Sequence, residues 1–322
     1  MLIVGILGCT IACLGGAWRH WVSNAWSESE VRLDLAPVAD AQELWRQLEA
    51  DMPTCGQPVL QHLSWRGWKA RIRPGRYHFP AGESVQNSAA RLASGQRESV
   101  RVVVPSGRDV GPVAGAASRH IWADSAHVAQ LFSSDSIQWR VLPNTYEMWW
   151  ESDGLDLVQR LIREHEDWWT DDRKALAAAH GLSIREATIL ASIVQAETAQ
   201  LEEAPRVAGL YLNRLKRGMA LQADPTLIFA LGDPNIRRVL DIHKDIDSPY
   251  NTYLHKGLPP GPIRFVDPRY IQSILHPAVH NDLYMCAEPG GTGKHRFASS
   301  YREHLRNARA YQTWLNRQRI FK

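Results

Sequence analysis

Residues 183–198 read SIREATILASIVQAET, and the helix signals in this run are the most explicit in the chain. Ser183 followed by Glu186 has the form of a capping box, in which each side chain satisfies the other's orphan backbone amide and a helix starts. Beyond the cap, Leu190, Ile193 and Val194 stand seven, four and three positions before Glu197. Those positions share one helix face, so Glu197 is expected to project along an apolar stripe. Desolvation destabilises a carboxylate and raises its pKa, which suits a general acid working near neutrality. A solvated glutamate at the edge of the stripe, or one paired with Arg206 on the next helix, fits the same spacing.

Working outward, the C-terminal half repeats these signals. Arg206 to Lys216 has helical spacing and stops at Gly218; Asp224-Pro225 and Asp267-Pro268 each place an acceptor before a proline, the pattern of a capped helix start. Ser300 with Glu303 opens a last helix running to about Arg317. Leu283–Ala287 and His295–Phe297 read as two strands joined through a Gly-rich turn. Toward the N-terminus, Val31–Leu35 alternates as a strand, Ala41–Leu48 is helical, Ala70–Ile72 is strand-like before the Pro74-Gly75 turn, Ser84–Leu92 is helical and Val100–Val104 is β-branched. Pro105-Ser106-Gly107 reads as a boundary. The expected class is therefore α+β: an N-terminal transmembrane helix over 1–22, a small α/β module over 28–104, and a larger, mainly helical domain over 105–322 with a short β-hairpin and its motif core at 183–322.

Met1 to Trp18 carries no charged side chain, and a helix of that length spans about 27 Å, near the lower limit for a bilayer. An uncleaved anchor is preferred to a cleaved signal peptide because a basic start is missing, and a lipoprotein signal ending at Cys9 would be too short. Arg19 alone favours the opposite orientation to the one an extracytoplasmic domain needs. The net charge of +3 is spread along the chain, which argues against nucleic acid as a partner. Among the 13 tryptophans, the pairs Trp149-Trp150 and Trp168-Trp169 offer either core packing or flat surfaces for sugar rings. The spacing of Cys9, Cys13, Cys55 and Cys286 fits neither zinc nor a redox pair, and they are expected to be free.

Glycosidic bonds are usually cleaved between two carboxyls, and Glu202, Glu203 and Asp224 are the possible partners for Glu197. Helix capping also explains Asp224. Residues 247–263, DSPYNTYLHKGLPPGPI, form a loop of functional length whose Tyr and Asn groups suit hydroxyls and acetamides; a rigid loop held by its own Asn and Thr bonds is the alternative. His243, His255, His276 and His295 lack metal-ligand spacing and read as structural or surface residues. No phosphate loop, nucleophile elbow or dinucleotide fingerprint is present.

The segments ILASIVQAET, VAGLYLNRLKRGMALQADPT, YNTYLHKGLPPGPI and LHPA, in that order, together resemble the YceG-like endolytic murein transglycosylase family, and the PGRY turn with its following helix is similar to that family's LysM-like segment. The resemblance implies an inner-membrane protein with an extracytoplasmic catalytic domain. Such a protein cuts the MurNAc–GlcNAc bond of nascent peptidoglycan strands internally, leaves 1,6-anhydroMurNAc ends, and terminates strand elongation beside the peptidoglycan synthases. Glu197 falls on the family's catalytic glutamate. Gln222, Asp224 and Thr226 match its LQ-DPT motif, Tyr250, Asn251, Thr252 and Tyr253 its active-site loop, and Pro259 and Gly261 the run that follows; all nine are expected to bind substrate. Gln195 stands where relatives often carry an acidic residue, which argues against its being needed, and Asn144 departs from a position that is usually acidic in relatives. Glu197 is expected to protonate the leaving oxygen and then take the proton of the muramyl 6-hydroxyl as it closes onto C1, with no metal or cofactor. A muramidase using water, with Asp224 or Glu203 as second carboxyl, and a non-catalytic peptidoglycan-binding scaffold are the alternatives.

Overall fold

The computed structural model describes residues 18–233 and 239–318. In chain order the elements are β1 (Val31–Leu35), α1 (Ala41–Asp51), α2 (Gln57–Trp65), β2 (Gly75–Phe79), α3 (Val85–Ser94), β3 (Ser99–Val104), α4 (Val110–Ser118), α5 (Ser125–Phe132), β4 (Asn144–Trp149), α6 (Gly154–Trp168), α7 (Asp171–Ala179), α8 (Ile184–Glu197), α9 (Ala204–Lys216), α10 (Asp224–Leu231), α11 (Pro268–Leu275), β5 (Tyr284–Ala287), β6 (His295–Ala298) and α12 (Tyr301–Arg317). Helices joined by short strands give the α+β class. The expected anchor over 1–22 lies outside the described residues except for 18–22, which are helical. No described helix is long and apolar enough to cross a membrane.

The chain divides into two compact units. One comprises residues up to Val102 with Ser118–Asp124 and Tyr146–Leu157; the other comprises Val103–Ala117, Ser125–Thr145 and Val158 onward. In the first, β1 and β2 pair antiparallel with Leu33 opposite Tyr77 and Leu35 opposite Gly75. The alternation of VRLDL sends Leu33 and Leu35 into a core with Leu44, Leu48, Leu63, Tyr77 and Leu92, while Asp34 and Arg76 pair outside at 2.7 Å. Two details depart from the sequence reading. Residues 69–71 form a 3-10 turn, and the strand begins only at Gly75, whose φ of 141° lies in a region few other residues adopt. The helix α2, which begins beside Pro58 and carries Val59, Leu60 and Leu63 inward, was not anticipated.

The second unit is organised around α8. Its capping box forms as expected, with Ser183 accepting from the Glu186 amide and Glu186 from the Ser183 amide. The apolar stripe is broader than the spacing implied: Ala187 through Val194 are all buried, so α8 is the central helix, enclosed by α9, α10, α11 and α7. Each fully buried Leu, Ile or Val in it contributes about 1.5–3 kcal/mol of transfer free energy. The helix ends at Glu197, with Thr198 extended at its C-cap, so the glutamate stands where the central helix emerges from the core. Gln195, two residues earlier, donates to Ser106 Oγ at 2.9 Å and accepts from the Asp267 amide at 3.0 Å, which ties the chain around α8. Cys55 and Cys286 are free thiols.

Candidate active site

The Glu197 carboxyl opens into a cleft of about 360 Å³, whose lining includes Tyr211, Arg214, Gln222, Asp224, Tyr253 and His295. Tyr211, on the face of α9 turned to α8, donates its hydroxyl to Glu197 Oε1 at 2.7 Å. Burial pushes the Glu197 pKa up to about 7. The Tyr211 bond opposes this, the nearby Asp224 carboxylate adds to it, and His295 and Arg214 pull the other way. The partial negative charge of carbonyls at a helix C-terminus also disfavours a second negative charge there. Tyr211 itself is raised well above the ordinary phenol value by burial and by the Glu197 charge, so it stays a donor.

Arg206, the partner that spacing allowed for Glu197, instead pairs with Asp282 at 2.9 Å. The buried arginine near the site is Arg214, one turn beyond Tyr211 on α9. Its guanidinium donates to the carbonyls of Leu283 and Leu221, each at 2.6 Å, and thereby joins α9 to the hairpin and to the segment before α10.

Asp224 does not cap a helix: α10 begins at Asp224 itself, the N-cap residue is Ala223, and no side-chain cap bond forms. Its carboxylate is exposed in the cleft and accepts the Tyr253 hydroxyl at 2.5 Å. Burial and the Asp224 carboxylate raise the Tyr253 phenol pKa, so it too remains a donor. Gln222 is exposed beside it and takes φ 48°, the left-handed conformation that non-glycine residues rarely adopt. Its amide is held by the Thr252 carbonyl at 3.0 Å.

The remaining loop residues are placed behind this surface. Thr252 and Thr226 are buried with their hydroxyls 2.9 Å apart; Thr252 Oγ1 accepts the Ala223 amide at 3.0 Å, and Thr226 donates to the Ala223 carbonyl at 2.8 Å. Asn251, fully buried, donates to the carbonyls of Lys244 and Ile246 and accepts the amides of Tyr253 and Leu254. Tyr250 packs on Phe229, and Gly261 approaches the Tyr250 hydroxyl so closely that a Cβ there would lie 2.8 Å from it. Pro259 is buried and lines a separate groove with Leu258, Pro260, Ile189 and Leu212. Of the ten residues read from sequence, Glu197, Gln222, Asp224 and Tyr253 line the cleft. The other six support the loop or lie outside the cleft.

The hairpin β5–β6, paired with Tyr284 opposite Ala298 and Ala287 opposite His295, forms the opposite wall. Tyr284, Tyr301 and His304 give this wall its aromatic face, with Tyr284 stacked on His304 at 5.4 Å and Tyr301 59% exposed. The tryptophan pairs do not supply it: Trp169 is 1% exposed in the core against Trp168, while Trp149 lies under Arg97 in the other unit.

His295, read from its spacing as a structural or surface residue, is half-buried and faces the site. It lines the cleft, and Glu203 holds it twice: Oε1 accepts the His295 amide at 2.8 Å, and Oε2 lies 2.7 Å from Nδ1. Tyr211, Arg214 and His295 left no local signal. Among the described residues, no cluster of His, Cys, Asp and Glu could hold a metal ion.

A helical α+β domain with a desolvated carboxyl, phenol donors and an aromatic wall in one open cleft defines a site suited to proton transfer on a hydroxyl-rich ligand. The YceG-like family matches residues 35–310, and the chain belongs to it. It is 31% identical over 156 residues to the endolytic murein transglycosylase of Bacillus subtilis, a match covering 48% of this chain and 42% of that protein. It is 35% identical over 130 residues to the endolytic murein transglycosylase of Streptococcus pneumoniae, covering 39% of this chain and 23% of the relative. The matched regions thus span less than half the length of these relatives. The crystal structure of a yceG-like protein from Listeria monocytogenes shares the fold at a TM-score of 0.55 and 19% identity, over 87% of this chain and 99% of that one.

Proposed function

We propose that this protein is a lytic transglycosylase that cuts peptidoglycan glycan strands internally at the MurNAc–GlcNAc bond. The observation that carries the reading is Glu197: a carboxyl at the end of the central helix, opening into a cleft, with its pKa raised to about 7 and so substantially protonated near neutrality. It protonates the bridging oxygen as the bond from that oxygen to C1 breaks, an oxocarbenium-like state develops at C1, and the muramyl 6-hydroxyl closes onto that carbon, giving up its proton to a base in the cleft, to leave an anhydro end. Gln222, Asp224 and Tyr253 face the same cleft and bind the sugars, while Thr226, Asn251, Thr252, Tyr250, Pro259 and Gly261 shape the loop that presents them. In this reading residues 1–22 anchor the chain in the inner membrane, residues 28–104 act as a LysM-like module, and cutting beside the synthases ends strand growth.

Asp224 in the same cleft favours one second reading, a muramidase in which this carboxylate activates water. Mass analysis of products from purified glycan strands separates the two. Anhydro ends that vanish in Glu197→Gln with the fold retained are expected; reducing ends would sink the lyase mechanism, and equal cleavage by the variant would sink the role of Glu197.

A further inference from the structure

The pair Glu203–His295 is built with more care than pinning a hairpin requires. The His295 amide, bonded to Glu203 Oε1, already fastens β6 to the start of α9. The imidazole then spends a second contact on the same carboxylate, and both side chains are nearly dry, 15% and 9% exposed. A carboxylate only accepts, so Nδ1 carries the proton in this pair. The ring's remaining polar atom is Nε2, and a neutral ring of this tautomer presents a lone pair there. His295 lines the cleft that holds Glu197, so its ring borders the space a bound hydroxyl would occupy. An imidazole held by a carboxylate is fixed in orientation and tautomer, the arrangement by which hydroxyl groups are deprotonated elsewhere.

We infer that His295, oriented by Glu203, is the base that takes the proton of the attacking sugar hydroxyl, in place of the second role expected of Glu197, so that acid and base in this cleft are two different residues. The inference rests on the transglycosylase reading and assigns the proton acceptor within it. The bond from C1 to the bridging oxygen breaks as that oxygen takes the Glu197 proton. The bond from O6 to C1 forms as the hydroxyl proton passes to His295 Nε2. Glu197 is left as carboxylate and His295 as imidazolium, and proton exchange through the open cleft restores both without any co-reactant. Tyr211, bonded to Glu197 Oε1, stabilises the carboxylate produced.

The test uses the full chain with purified glycan strands, counting anhydro ends over time for wild type, His295→Ala, Glu203→Gln and Glu197→Gln. In His295→Ala, kcat is expected to fall by about 100-fold or more with little change in KM. Added imidazole should restore part of that loss in His295→Ala and none in Glu197→Gln. Glu203→Gln leaves one acceptor oxygen for two donors, the His295 amide and Nδ1, so it should lower kcat by less than His295→Ala while also lowering the thermal midpoint. An unchanged kcat in His295→Ala overturns the inference. So does a rise in KM alone, or a loss that imidazole leaves untouched while the fold is retained; in each case the transglycosylase reading stands on its products and on Glu197→Gln. Absence of anhydro ends from the wild type overturns both.

Discussion

Replacing Glu197 with Gln keeps the side chain's shape and an oxygen for the Tyr211 hydroxyl, but removes the charge that the site disfavours. The carboxyl pKa moves from 4.5 to about 7 on folding, chiefly through burial. A group whose folded pKa is raised contributes stability that is fully present below the unfolded value of 4.5 and is lost as pH rises through about 7. At 1.36 kcal/mol per pKa unit this amounts to about 3 kcal/mol, a ceiling because the residue keeps some surface in the cleft. Gln has no such titration. Urea unfolding of wild type and variant at a series of pH values should therefore show the variant gaining on the wild type by up to about 3 kcal/mol between roughly pH 4 and pH 9. Other titrating groups cancel in the comparison. The same substitution should abolish cleavage, so activity and stability move in opposite directions. A stability difference that stays flat with pH would refute the claim that folding desolvates this carboxyl.

Tyr211→Phe removes the hydroxyl that donates to Glu197 Oε1, and because that bond holds the pKa down, the alkaline limb of the rate profile should move upward by about 1–2 units, as expected for a hydrogen bond to a charged group. Asp224→Asn removes a charge that raises Glu197, so the same limb should move down; kinetics across pH on both variants checks the pair of opposite signs. Thr252→Val leaves the buried Ala223 amide without its acceptor and should cost about 1–3 kcal/mol in urea unfolding, with cleavage falling as the turn between Gln222 and Asp224 loosens.

Several local features were legible because the interactions that make them span only a few residues. The capping box at Ser183 and Glu186, the Ser300 cap and the alternation of β1 all occur where the residues place them. The same signals placed Glu197 on the apolar face of a helix, and the resemblance of the YNTY and LQ-DPT segments pointed to the loop beside it. Local reading misled where a local and a distant role compete for one residue. Asp224 before Pro225 has the form of a cap, yet its carboxylate faces the cleft and meets Tyr253, 29 positions away.

By itself, then, the sequence determined that a helix begins at Ser183 and delivers a carboxyl at Glu197, because helix propagation and capping depend on neighbours within one turn. Tertiary structure alone decided what surrounds that carboxyl. Burial of α8 on every side, Tyr211 and Arg214 from α9, and the hairpin that brings His295 to Glu203 across 92 positions depend on packing between distant segments. Desolvation and hydrogen bonding set a pKa through space, and no spacing along the chain encodes them.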